Sequence, residues 1–336
     1  MHENKQIIYG DIGGTKTLLQ MAEFKNGVVH EHASHRYHSG DYSSFPDILS
    51  DFLRKSGIIA ANCKPMAACF AVAGPVVAQR AQLTNLPWHV DAAEIGHAFS
   101  IAHVRLLNDF EAAALAVDIL SADDLVTLQQ GRAQAQAMRV ILGAGTGMGV
   151  AWLAWQKDSY QPMSTEAGHI DFAPTNALQI QLLEALLQQF THVSVERLLS
   201  GSGLTNIFNF LQTTLPASSN LTPTHLNEED CGAAITALAT EQNHPVAISA
   251  LELFIEIYGA YAGNLALAGL CRNGVYIAGG IAPKIIDHLR AGGFMRAFCD
   301  KGRFSRLMHD IPVQVIINPT VSLLGAKRKA QEFLRI

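Results

Sequence analysis

Twice in this chain an apolar, strand-forming run breaks into a glycine-rich turn and resumes as strand: IIYGDIGGTKTLLQMAE at 7–23 and RVILGAGTGMGVAWLAW at 139–155. Glycine lets a backbone approach an anion closely, and successive N–H groups in such a turn form an anion cradle. The two best-known phosphate loops nevertheless do not fit. A Walker A loop has Gly, Lys and Ser/Thr adjacent and opens a helix. Here Thr15 separates Gly14 from Lys16, and a β-branched, apolar run follows. A dinucleotide fingerprint also requires a following helix, whereas VAWLAW continues as strand. Each unit is therefore predicted as a β-hairpin, and its recurrence predicts two similar domains facing each other across a cleft.

The remaining segments alternate as in an α/β protein. Further strands are predicted at 28–32, 66–74, 104–110, 274–281 and 312–318. Helices are predicted at 43–56, over EAAALAVDIL, at 177–190, 194–200, 203–212, 228–240 and 246–270, and over the C-terminal GAKRKAQEFL. A length of 336 residues suits two domains. With 49% hydrophobic and 16% charged residues, both can bury a core. A net charge of −5 and the lack of a long basic run argue against nucleic acid or an anionic membrane as partner. The five cysteines form no C-x-x-C pair and read as reduced thiols. The N-terminus lacks the apolar core of a signal peptide, and no uninterrupted apolar stretch reaches the roughly 20 residues that span a bilayer. A cytoplasmic protein is expected.

The hairpin turns carry Thr15 and Thr146, whose hydroxyls add donors to the glycine backbone. A third glycine turn, AGGI, occupies 278–281. Three tight turns with no ligand are one reading. The other is a nucleotide clasp in which Asp11 holds Mg²⁺, directly or through water.

Seven segments then follow in order almost end to end: GDIGGTKT, LLNDFEAAALA, ILGAGTGMGVA, STEAGHIDFAP, VSVERLLSGSGL, YIAGGI and KGRF…HDIPVQVI. Together they resemble the bacterial glucokinases of the hexokinase/actin/Hsp70-like superfamily. The resemblance implies an α/β, two-domain actin-like ATPase (ribonuclease H-like) fold with the active site in the interdomain cleft. It implies a small domain over 1–119, joined by a C-terminal segment from about 318 to 336, and a large domain over 120–317. The implied reaction is ATP-dependent phosphorylation of D-glucose to glucose 6-phosphate, the first step of intracellular glucose use, with Mg²⁺ and in a homodimer. Alternatives are a kinase for mannose, fructose or N-acetylglucosamine, a sugar-responsive regulator, and an actin-like filament protein. A regulator needs a helix-turn-helix, for which a first strand beginning by Gln6 leaves no room.

Carried residue by residue, the resemblance puts Asn108, Asp109, Glu166, His169 and Glu196 on the sugar, with Asp109 as the catalytic base. It puts Gly10, Asp11, Ile12, Gly13, Gly14, Thr15, Gly145, Thr146, Gly147, Gly279 and Gly280 on the nucleotide. Local sequence alone leaves Asp109 equally readable as the N-cap of the helix that follows. Glu166 and His169 also have zinc-ligand chemistry, but the further ligands and the Cys-x-Cys cluster of the related repressor/sugar-kinase family are missing. Glu196 is also readable as a charge at a helix start. His192 and the cations at 327–329 are read as structural. Two departures stand out. Lys16 occupies a position where close members usually have Asn, and NPTVSLLG lacks the glycine that usually precedes the Leu pair.

Overall fold

Strands β1 (Lys5–Ile12) and β2 (Lys16–Lys25) pair antiparallel around the turn Gly13–Gly14–Thr15, as the first glycine unit predicts. They belong to a computed structural model that describes residues 5–25, 28–57, 65–83, 86–214 and 231–335. Contacts divide the chain into two units, Met1–Leu120 with Thr320–Ile336, and Ser121–Pro319.

In the first unit β3 (Val28–His38) extends the hairpin into a meander. On the other side of β1, β4 (Ala67–Val72) joins in parallel. Short strands β5 (Val76–Val77), β6 (Arg80–Gln82) and β7 (His89–Asp91) make a separate small sheet. Strand β8 (His103–Asn108) completes the main sheet, in the order β3-β2-β1-β4-β8. Successive side chains of a strand face opposite ways. Thus Ile8 and Ile12 of β1 enter one core, with Phe45 and Phe52 of helix α1 (Phe45–Lys55). Ile7 and Tyr9 enter another, with Leu115 of α3 (Asp109–Ala116) and Leu323 of the C-terminal helix Val321–Glu332. Helix α2 (Ala92–Phe99) packs with β8. By the same alternation Asp11 shares the face that α3 covers.

The second unit repeats the plan. Its strands are β9 (Leu125–Gln129), β10 (Arg139–Ala144), β11 (Met148–Gln156), β12 (Ser159–Thr165), β13 (Gly274–Ala278) and β14 (Val313–Ile316). The order is β12-β11-β10-β13-β14-β9. An antiparallel meander of β10, β11 and β12 is followed by parallel β13 and β14, matching β1, β2, β3, β4 and β8. Strand β9 is an antiparallel addition beside β14. The order repeated in both sheets is that of the actin-like ATPase fold expected from the sequence.

Helices α4 (Ala177–Leu187), α5 (Gly201–Thr214), α6 (Cys231–Thr240) and α7 (Pro245–Ala268) pack with this sheet. They are followed by α8 (Ile286–Arg290), α9 (Gly293–Cys299) and α10 (Ser305–Asp310). Helix α7 is long and apolar enough by composition to cross a membrane, but most of it is buried as the core helix of this unit.

The segment 194–200 departs from its predicted helix. It is a 3₁₀ turn at Val195–Arg197 that leads into α5. The Val195 and Phe172 N–H groups donate to the Ile170 and Val193 carbonyls, so the chain before the turn is drawn into extended pairing. Residues 228–230 and Cys63 lie outside the described residues. Among the described residues Cys69, Cys271 and Cys299 are free thiols.

Candidate functional site

In the first unit the predicted residues collect at the carboxyl ends of β1 and β8. Open α/β sheets bind ligands beyond such ends. Asp11 is the penultimate residue of β1, Asn108 ends β8, and Asp109 opens α3. Both strands flank β4, so their ends lie two strand spacings apart, about 10 Å.

Asn108, and not Asp109, is the helix cap. Its Oδ1 accepts from the Phe110 and Glu111 N–H groups at 2.9 and 3.3 Å. Its Nδ2 donates to the Gly74 carbonyl at 3.0 Å, which ties β8 to the turn after β4. Asp109 stands one residue further, with its Oδ1 3.0 Å from the Phe110 N–H.

The half-buried Asp11 carboxyl is pushed up to about 6, first by burial and then by the charge of Asp109. Folding therefore disfavours its charged form. Its contribution to stability falls as pH rises from about 4 to about 6, by up to about 3 kcal/mol. Asp11→Asn is expected to raise the Tm of the ligand-free protein at pH 7.5 and to flatten that fall, measured by thermal melts across pH. A cation beside Asp11 would offset both causes of its shift. Among the described residues no group of three or more His, Cys, Asp or Glu could hold a metal ion. Mg²⁺ typically takes one or two carboxylates and completes its shell with phosphate and water, a demand that the Asp11 carboxylate can meet.

The first glycine turn is pinned by Ser39, a residue the sequence reading missed. Its N–H donates to the Thr15 carbonyl at 2.9 Å and its Oγ to the Gly13 carbonyl at 2.8 Å. That hydroxyl also lies 3.0 Å from Thr17 Oγ1, and both residues are fully buried. Thr15 and Lys16 are exposed, and the Lys16 carbonyl accepts from the Gly13 N–H at 3.0 Å. Lys16 thus serves the turn through its backbone. Lys16→Asn is expected to leave kcat and the KM for ATP within about twofold of wild type, as for a surface substitution. Gly10 and Ile12 are buried in the sheet, Gly10 against Leu19 and Phe70 and Ile12 in the core. Neither presents a side chain to a ligand.

The second unit builds its turn from Gly145–Thr146–Gly147, closed by the Gly145 N–H on the Gly147 carbonyl at 2.8 Å. Glu196 sits directly on it. Its Oε2 accepts from the Met148 N–H at 2.8 Å, and a Cβ on Gly147 would lie 2.6 Å from that oxygen. The Glu196 carboxylate thus serves the glycine turn and is not merely a charge at a helix start. Glu166 and His169, both exposed, bracket a 3₁₀ turn at Ala167–His169. Gly168 there lies so near the Met148 carbonyl that a Cβ would overlap it. His192, read from sequence as structural, holds this segment: Nε2 is 3.0 Å from the His169 carbonyl and Nδ1 3.3 Å from the Asp171 carboxylate.

The third turn closes the group. Gly279 has φ +85°, and a Cβ there would overlap the Ala144 carbonyl at the end of β10. Only glycine meets both demands. Gly280 is exposed and has open space around it. The second unit therefore assembles Gly145–Gly147, Gly279, Gly280, Glu196 and the Glu166–His169 turn. The first assembles Asp11, Gly13–Thr15, Asn108 and Asp109.

Known proteins share both sequence and fold with this chain. The glucokinase family model matches residues 8–333. The glucokinase of Nostoc sp. is 42% identical over 335 residues, covering 95% of this chain and 97% of the relative. The crystal structure of a glucokinase from an Antarctic psychrotroph superposes with a TM-score of 0.84 at 31% identity, covering 98% of this chain and 99% of the other. A ROK family glucokinase from Streptomyces griseus, in complex with glucose and AMPPNP, shares the fold at 18% identity and a TM-score of 0.61, covering 97% of this chain and 99% of the other. The chain belongs to the glucokinase family.

Proposed function

We propose that this enzyme transfers the γ-phosphoryl group of MgATP to O6 of D-glucose. The observation that carries the reading is the division of labour at the start of α3. Asn108 caps the helix, so the neighbouring Asp109 carboxylate is not needed for that task and stands at a strand end suited to ligands.

Phosphoryl transfer passes through a loose, metaphosphate-like state, so positioning and electrostatics supply most of the catalysis. Asp109 accepts the proton of the attacking hydroxyl as the new O–P bond forms. Glu166 and Glu196 accept hydrogen bonds from sugar hydroxyls, His169 donates or accepts them, and Asn108 donates the Nδ2 hydrogen that is not on the Gly74 carbonyl. A wrong epimer leaves such polar groups unpaired, which is how the site discriminates among hexoses. Backbone N–H groups of Gly13–Thr15 and Gly145–Gly147 cradle the phosphates, with Thr15 and Thr146 adding hydroxyls. Asp11 would hold Mg²⁺, directly or through water, and the ion would neutralise phosphate charge.

ATP as donor is supported by the family and by the AMPPNP complex of the Streptomyces griseus glucokinase. The reading places the reaction in the cytoplasm, at the entry of glucose into glycolysis, in a homodimer that light scattering would test. The functional test is ADP formation from ATP with glucose, mannose, fructose or N-acetylglucosamine, each alone. Glucose is expected to give the highest kcat/KM. No turnover of glucose beside efficient turnover of another hexose would sink the assignment.

A further inference from the structure

We infer that Tyr258 and Tyr261 of α7 are positioning residues that fix the second glycine turn and the Glu166–His169 turn in one mutual arrangement. The inference rests on the reading that the first of these turns receives phosphate and the second the sugar.

The Ala144 N–H, immediately before the glycine turn, donates to the Tyr258 hydroxyl oxygen at 3.1 Å. The Tyr261 hydroxyl donates to the Ala167 carbonyl, inside the sugar turn, at 2.7 Å. Both tyrosines are buried, at 0% and 5% exposure. Residues three apart on a helix lie on neighbouring parts of one face. One rigid helix therefore holds both turns, and a slide of α7 would move both together.

The helix is itself well fixed. Phe254 and Phe294 meet the Tyr258 ring edge-on, at centroid distances of 5.9 and 5.6 Å. Gly259 and Gly263, one turn apart, let the α9 backbone approach closely. A Cβ on Gly263 would lie 2.6 Å from the Phe298 carbonyl, and one on Gly259 would overlap that of Phe294. Burial raises both phenols well above their ordinary range, so they remain neutral hydrogen-bonding groups at neutral pH.

Tyr258→Phe and Tyr261→Phe keep the rings and remove only the hydroxyls. Losing one buried hydrogen bond corresponds to about five- to tenfold in an equilibrium. Tyr258→Phe is expected to raise the KM for ATP by about that factor and leave the KM for glucose within about twofold; Tyr261→Phe should do the reverse. The Ala144 amide should also exchange faster with solvent in Tyr258→Phe and not in Tyr261→Phe. A merely structural phenol would lower the Tm without separating the two KM values. That result, or both KM values moving together in each variant, would overturn the inference. Should Tyr258→Phe fail to fold, the Tyr261→Phe arm decides on the same criterion. Wild-type turnover of glucose with ATP, measured in the same series, tests the functional reading separately.

Discussion

Asp109→Asn is expected to fold as wild type, to bind glucose within a few-fold of wild type, and to lose about 10³-fold in kcat, in the range for removal of a general base. The exchange of one carboxylate oxygen for an amide nitrogen keeps the shape of the side chain. Helix α3 should tolerate it, because its cap is Asn108, bonded to two helix N–H groups and to Gly74. Proton acceptance is lost, while the amide oxygen can keep the contact that Oδ1 makes with the Phe110 N–H. Asp11 reports on the change independently. Part of its raised pKa comes from the Asp109 charge, so the variant should lower the Asp11 pKa, measurable by carboxyl NMR titration. Near-normal turnover in a folded Asp109→Asn protein would remove Asp109 as the base.

Gly325→Ala should be the most damaging small substitution outside the site. Gly325 lies on the C-terminal helix, where a Cβ would overlap the Ala112 carbonyl of α3. The two helices are also tied by Arg328, whose Nη1 reaches the Leu115 carbonyl at 2.7 Å and Asp118 at 3.2 Å. Alanine gains about 1 kcal/mol in helix propensity. Prising two backbones apart in a filled core costs up to about 3 kcal/mol, so a net loss of up to about 2 kcal/mol is expected. Because α3 begins at Asp109, kcat should fall as well. Denaturant melts and steady-state kinetics would check both, and a variant at least as stable as wild type would contradict this packing account.

The C-terminal helix, legible over GAKRKAQEFL, begins one turn earlier, at Val321. Both hairpins were legible, because strand composition on each side of a glycine turn excludes the helix that other phosphate loops open. Strand β4, wholly buried, was legible as an apolar run. Strands β5, β6 and β7, two or three residues each, were not, since so short a segment carries no periodicity. The helix predicted at 194–200 failed for a long-range reason: hydrogen bonds to Ile170 and Phe172 extend its first residues, and local propensity does not encode partners more than 20 positions away.

The candidate site divides in the same way. Family motifs identified Asp11, Asp109, Glu166, His169 and Glu196 as residues of interest. Of their supports, the sequence marks His192 alone, as structural. Ser39, His192, Tyr258 and Tyr261 each act on a backbone group distant in sequence, and a lone Ser, His or Tyr carries no local mark of that duty. The Asn108–Asp109 pair is the instructive case. Sequence left cap and base as equal readings of Asp109, and the hydrogen bonds of Asn108 give the cap to its neighbour.

The central claim is that one phosphoryl group passes from ATP to the O6 hydroxyl of glucose. The most direct measurement is ³¹P–¹H correlation NMR of a reaction containing the enzyme, MgATP and glucose, followed with ADP release. The account predicts glucose 6-phosphate as the phosphorylated sugar, formed mole for mole with ADP. ADP released without phosphorylated glucose, or phosphate found on another hydroxyl, would contradict it.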